Sequence, residues 1–152
     1  MDGASGIIAV IALGIQLTDS INKARNCLSH IKHGPVEFVA LSGTLHNLSV
    51  IIKQVNILIR QQDSLGLLEN QDSDYLSIVG DAMRACEADV NSLWDLVKKF
   101  QKSLERAQGL NKTWAAMRVS FRREDVHRLQ VKMNQNLSAL QMIISVQCNH
   151  IQ

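Results

Sequence analysis

Apolar residues recur along most of this chain at the spacing of an α-helix. Three segments place them at alternating steps of three and four, which aligns them on one face of a helix. The first such stripe is Phe38, Leu41, Leu45, Leu48, Ile52, Val55 and Ile59; the second is Leu76, Val79, Met83, Cys86, Val90, Leu93, Val97, Phe100 and Leu104; the third is Val126, Leu129, Met133, Leu137, Leu140 and Ile144. Narrow stripes of this kind pack against one another as a helical bundle with shallow crossing angles.

The segment before the first stripe has a different character. Residues Gly3 to Thr18 include no charged side chain, and their apolar residues fall on every side of a helix. A helix of this kind is either buried in protein or surrounded by lipid. It can be the central helix of a soluble bundle, enclosed by the three stripes, or a membrane segment of about 24 Å. The two interpretations can describe different states of one protein.

Breaks between the patterns set the number of helices. Gly34-Pro35, the stretch from Gln61 to Ser73, and Gly109 with Asn111 separate the segments, and a short helix is expected around Trp114 to Val119. A chain of 152 residues is of single-domain size. We therefore predict one all-α domain over residues 1–152, a four- to five-helix bundle with a central apolar N-terminal helix.

Charge is distributed unevenly along the chain. Residues 60–95 carry a net charge of −6 and residues 98–132 a net charge of +7. The basic cluster consists of Lys98, Lys99, Lys102, Arg106, Lys112, Arg118, Arg122, Arg123, Arg128 and Lys132. It is either a solvated face that complements the acidic helix or a contact for anionic lipid head groups. Nucleic acid is not an expected partner, because stacking aromatic side chains are not interleaved with these charges.

Candidate chemistry is sparse. Cys27, His30 and His33 are spaced so that two of them could share a helix face as metal ligands, but a fourth ligand is not evident. Cys86 belongs to an apolar stripe and is expected to be inert, and three distant cysteines indicate reduced thiols in the cytosol. The sequence therefore predicts neither an enzyme nor a protein with a cofactor, a metal or a small-molecule substrate.

Three stretches resemble fungal HeLo-like domains, which stand at the N-termini of fungal NLR-type (STAND) receptors. They are Asp2 to Thr18, Gly34-Pro35-Val36-Glu37 with the following leucines Leu41, Leu45 and Leu48, and Trp114 through Phe121-Arg122-Arg123-Glu124-Asp125-Val126 to Leu140. The likeness covers nearly the whole chain and consists mainly of hydrophobic patterns.

The resemblance implies a bundle that executes programmed cell death or heterokaryon incompatibility. In such domains a sensor drives oligomerisation, and the N-terminal helix then leaves the bundle and enters the plasma membrane. Carried over, the inserting residues are Gly6, Ile7, Ile8, Val10, Ile11, Leu13, Gly14, Ile15 and Leu17. The expected partners are an anionic membrane, further copies of the chain and an NLR-type sensor, with the protein cytoplasmic at rest and at the plasma membrane when active. The alternative is a soluble homotypic adaptor that recruits a partner without membrane activity.

Overall fold

The computed structural model describes residues 3–30, 36–66, 73–107 and 123–151, and these ranges contain four long helices and no strand. They are α1 (Gly3–Ser29), α2 (Val36–Ser64), α3 (Ser73–Ala107) and α4 (Arg123–Ile151). The all-helical prediction is confirmed with four helices in the described parts of the chain. The short helix predicted at 114–119 lies outside the described residues.

The three apolar stripes form the core, as their spacing predicts. In α2 all seven stripe positions are buried, and in α3 every stripe position from Val79 to Phe100 is buried. The edge of Phe38 packs against the ring of Phe100, with centroids 5.3 Å apart. Each stripe therefore marks the inner face of its helix.

One boundary differs from the prediction. Residues 61–64, expected to open a loop, continue α2, and Gly66 follows with a positive φ of 70°. Gln62 is 2% exposed in this last turn. Gln62 extends the inner face of α2 by one turn. The apolar stripe of α2 ends at Ile59, so a prediction based on apolar residues alone ends the helix too early.

The four helices form a square in which each packs against two neighbours. α1 packs against α2 and α3, and α4 packs against the same two helices. Thus α1 and α4 lie diagonally across the bundle. The prediction of a central first helix is wrong, because α1 occupies one corner and leaves Ile8 and Ile15 in solvent.

Side-chain contacts fix how the helices run. Gly6 at the start of α1 lies beside Leu76 at the start of α3, and Phe38 at the start of α2 meets Phe100 near the end of α3. Hence α1 and α3 run in the same direction and α2 runs against them. Consecutive helices with alternating directions need only short connections, which suits a bundle of this size.

Candidate functional site

The candidate site is α1, whose apolar residues divide between two faces. Ile7, Val10 and Leu17 are buried, and Ile11 and Leu13 are partly buried against the core. Ile8 and Ile15, in contrast, are 68% and 56% exposed. Of the predicted inserting residues, Gly14 is also buried and Gly6 is half-buried. The predicted inserting residues therefore include some that pack α1 into the bundle and others that form an apolar face exposed to solvent.

The second half of α1 also buries one face against the core. Ile21, Ala24 and Leu28 are between 0% and 5% exposed. The outer face of this half is polar, with an exposed ion pair between Lys23 and Asp19 at 3.1 Å. The segment is therefore an ordinary amphipathic helix near its C-terminal end and an apolar one near its N-terminal end.

A close approach joins α1 to α2 at Gly14 and Asn56. A Cβ atom placed on Gly14 would lie 2.5 Å from Nδ2, 2.6 Å from Oδ1 and 2.9 Å from Cγ of Asn56. The Asn56 amide donates a hydrogen bond of 3.3 Å from Nδ2 to the carbonyl oxygen of Ile11. We call this arrangement the Gly14–Asn56 contact. It requires a residue without a side chain at position 14, and this is the role of glycine here.

Two polar atoms at α1 and its docking surface are buried without a hydrogen-bond partner. One is Oδ1 of Asn56, whose residue is 8% exposed, and the other is Nε of Arg25, a half-buried residue of α1. Buried polar groups are usually satisfied, since desolvation without a replacement bond is costly. The attachment of α1 therefore combines apolar packing with unsatisfied polar groups.

The described part of the basic cluster is exposed and is displaced along the bundle from the start of α1. Lys98, Lys99 and Lys102 near the end of α3, and Arg128 and Lys132 in the first turns of α4, have exposed side chains. Arg106 lies in α3 and Arg123 opens α4, whereas Lys112, Arg118 and Arg122 lie outside the described residues. Gly6 is level with Leu76, and Lys98 lies about 33 Å further along α3. Lys98 and Lys102 are thus near the end of the bundle opposite Gly6, whereas Lys132, close enough to Asp89 to affect its pKa, lies nearer the middle.

A buried carboxylate lies between α3 and α4. Asp89 is 7% exposed and accepts a hydrogen bond from Nδ2 of Asn136. Burial raises the pKa of Asp89, and the positive charge of Lys132 and the Asn136 bond oppose that rise. Burial and the charge of Asp89 together raise the pKa of the Cys86 thiol to about 12. The thiol is therefore kept protonated, in agreement with an inert Cys86.

The structure gives no support to a metal site in the parts of the chain that it describes. Cys27 is half-buried and His30 is exposed, with Nδ1 of His30 located 2.6 Å from the carbonyl oxygen of Asn26. His33 lies outside the described residues. Within the described ranges, no three His, Cys, Asp or Glu residues come together as metal ligands.

Sequence analysis missed Asn56 and Asp89. Each directly adjoins a stripe residue, Val55 or Val90, and polar residues at such flanking positions normally face solvent. The sequence offers one signal for Asn56: a glycine within the apolar segment of the first helix calls for a close neighbour. It offers none for Asp89.

By length and composition alone, residues 6–29 of α1 could cross a membrane, and less than half of their most apolar window is buried in the bundle. A core helix of a soluble protein meets the same criterion, so the solvent-exposed apolar face is the more informative feature. Comparisons with family models, curated proteins and solved structures found no match to this chain.

Proposed function

We propose that this protein is a membrane-active signalling domain of the cell-death effector type, in which α1 leaves the bundle and enters an anionic membrane. The observation that carries the proposal is the exposed face of α1. Ile8 and Ile15 are seven residues apart, about two helical turns, and so lie on the same side of α1. Both are exposed to solvent on a segment that has no charge between Gly3 and Thr18. The resemblance to HeLo-like domains agrees with this role.

The corner position of α1 suits a helix that must leave. α1 packs against α2 and α3, while α4 contacts these two helices from the diagonal position. Separation of α1 breaks contacts along two sides, and the contacts of α4 can persist. A helix enclosed by three others would require a wider opening of the bundle.

The change from an apolar to a polar outer face along α1 suggests the direction of movement. The outer face of the C-terminal half is polar, and this half lies toward the same end of the bundle as Lys98 and Lys102. We therefore propose that the basic cluster contacts anionic head groups first. The N-terminal half of α1 then separates and pivots about the C-terminal half, which brings the apolar segment to the lipid surface.

Replacement of Ile15 by aspartate tests the proposal. Because Ile15 is 56% exposed, the substitution should leave the resting fold intact, as surface changes rarely exceed about 0.5 kcal/mol. A charge at the centre of an inserted helix costs roughly 2.5 to 3.5 kcal/mol, which weakens insertion about a hundredfold. The matched control is Ile78→Asp, at a residue of α3 that is 57% exposed.

The assay is dye release from vesicles of phosphatidylcholine with phosphatidylserine, together with flotation of the protein on the same vesicles. Wild type and Ile78→Asp should release dye and float, and Ile15→Asp should release far less. Equal release by the two variants would refute insertion of α1. A wild-type protein that neither floats nor releases dye would instead favour the soluble adaptor, with Ile8 and Ile15 contacting a protein partner.

A further inference from the structure

We infer that the Gly14–Asn56 contact is the latch that sets how readily α1 leaves the bundle. This inference rests on the proposed function to the extent that it takes α1 as the helix that moves. Asn56 lies on α2 beneath the middle of α1, near the boundary between its charge-free N-terminal half and its amphipathic C-terminal half. The contact at Ile11 and Gly14 therefore acts on the charge-free half, which is the half that the proposed function takes to move.

The hydrogen bond of the latch adds little to the stability of the docked helix. Ile11 is inside α1, so its carbonyl oxygen already accepts a bond from the amide four residues later. The Nδ2 bond from Asn56 is a second and long one, at 3.3 Å. Separation of α1 therefore leaves the Ile11 carbonyl satisfied within its own helix.

The amide of Asn56, in contrast, gains when α1 leaves. Its Oδ1 has no partner in the docked state although the residue is 92% buried. Water can bond to both ends of the amide once α1 has moved away. The contact thus favours the separated state more than an apolar contact of the same size would, while its close fit still fixes the register of α1 against α2.

Replacement of Gly14 by alanine should change the opening of α1 in a direction that depends on the residue at position 56. In Gly14→Ala the new methyl group overlaps the Asn56 amide, which is confined by burial and must give up its bond to Ile11. Opening of α1 should increase. In Gly14→Ala/Asn56→Ala the methyl group occupies the volume of the missing amide, and the unsatisfied oxygen is gone. Opening should then fall below the wild-type level by about tenfold, the scale of one buried unsatisfied group.

Gly43→Ala and Gly6→Ala are the matched controls. A Cβ atom at Gly43 in α2 meets no other atom within 4 Å, and one at Gly6 in α1 makes an ordinary contact of 3.6 Å with Leu76. Both variants gain the helix propensity of alanine without an overlap. Neither should increase the opening of α1, and neither effect should change sign when Asn56 is replaced.

Hydrogen exchange of the α1 amides, measured by mass spectrometry on the full chain, reports the opening directly. The expected result is faster exchange in Gly14→Ala, slower exchange in the double variant and no faster exchange in the controls. If Gly14→Ala changes exchange in the same direction with and without Asn56, the latch is refuted, whatever happens at a membrane.

Dye release from phosphatidylserine vesicles is measured on the same proteins and separates the two proposals. Release that follows the exchange rates supports both. Exchange that follows the predicted order while release stays constant supports the latch and refutes insertion of α1 as the function.

Discussion

Truncation of one buried and one exposed isoleucine of α1 should show that only one face of the helix holds it in the bundle. Ile21 is fully buried and Ile15 is 56% exposed, although both belong to the same helix and are a little under two turns apart. Replacement of each by alanine removes the same three carbon atoms. The two variants therefore differ in burial and not in chemistry.

The magnitudes follow from that burial. For Ile21→Ala the lost transfer free energy is about 2.4 kcal/mol at ~0.8 kcal/mol per carbon, and the cavity raises the total to roughly 3 to 4 kcal/mol. For Ile15→Ala less than half of the transfer term applies and no cavity forms. The better helix propensity of alanine offsets part of the rest, which leaves roughly 0.5 kcal/mol.

Urea unfolding followed by circular dichroism measures both values. With a slope of about 2 kcal/mol per molar urea, the midpoint should fall by roughly 1.5 to 2 M for Ile21→Ala and by about 0.3 M for Ile15→Ala. Slopes equal to that of the wild type would show that both variants unfold in the same transition. Equal midpoint losses would refute the division of α1 into a buried face and a solvent-exposed face.

Two further predictions concern the buried groups of α3. Because burial raises the pKa of Asp89, its folded form binds a proton more readily than its unfolded form. The contribution of Asp89 to stability therefore increases as the pH falls through the raised pKa toward the ordinary one. The stability of Asp89→Asn relative to wild type should then be higher at neutral pH than at mildly acidic pH, as measured by urea unfolding, and a pH-independent difference would contradict the buried environment. Cys86 is fully buried and has a pKa of about 12. A thiol reagent added to the native Cys148→Ser protein should therefore react with half-buried Cys27 before Cys86, as measured by mass spectrometry of tryptic peptides. Reaction of Cys86 first would contradict its burial.

The inner faces of the long helices were predictable from the sequence because burial and periodicity have the same cause. Apolar residues recur on one side of a helix when that side is kept from water. Leu45 and Met133 belong to such stripes, and both are fully buried. The apolar faces of α2, α3 and α4 follow from this rule. The end of α2 did not, because Gln62 is polar and yet completes the inner face.

The place of α1 could not be predicted in the same way. A segment that is apolar on every side gives no direction to its burial, so the sequence could not show that Ile7 faces the core and Ile8 faces solvent. Asn56 and Asp89 were missed for a related reason. Their burial depends on what the neighbouring helix presents, the backbone near Gly14 in one case and Asn136 in the other, and such pairings arise only in the assembled fold.

The surface beneath α1 has one more consequence. Asn56 lies on the side of α2 that α1 covers, and Ser49, seven residues earlier and therefore on the same side, is also buried. A bundle from which α1 has departed consequently exposes an amide and a hydroxyl group among its apolar side chains. Water can hydrogen-bond to both groups, so the surface left behind is less hydrophobic than its aliphatic residues alone would make it.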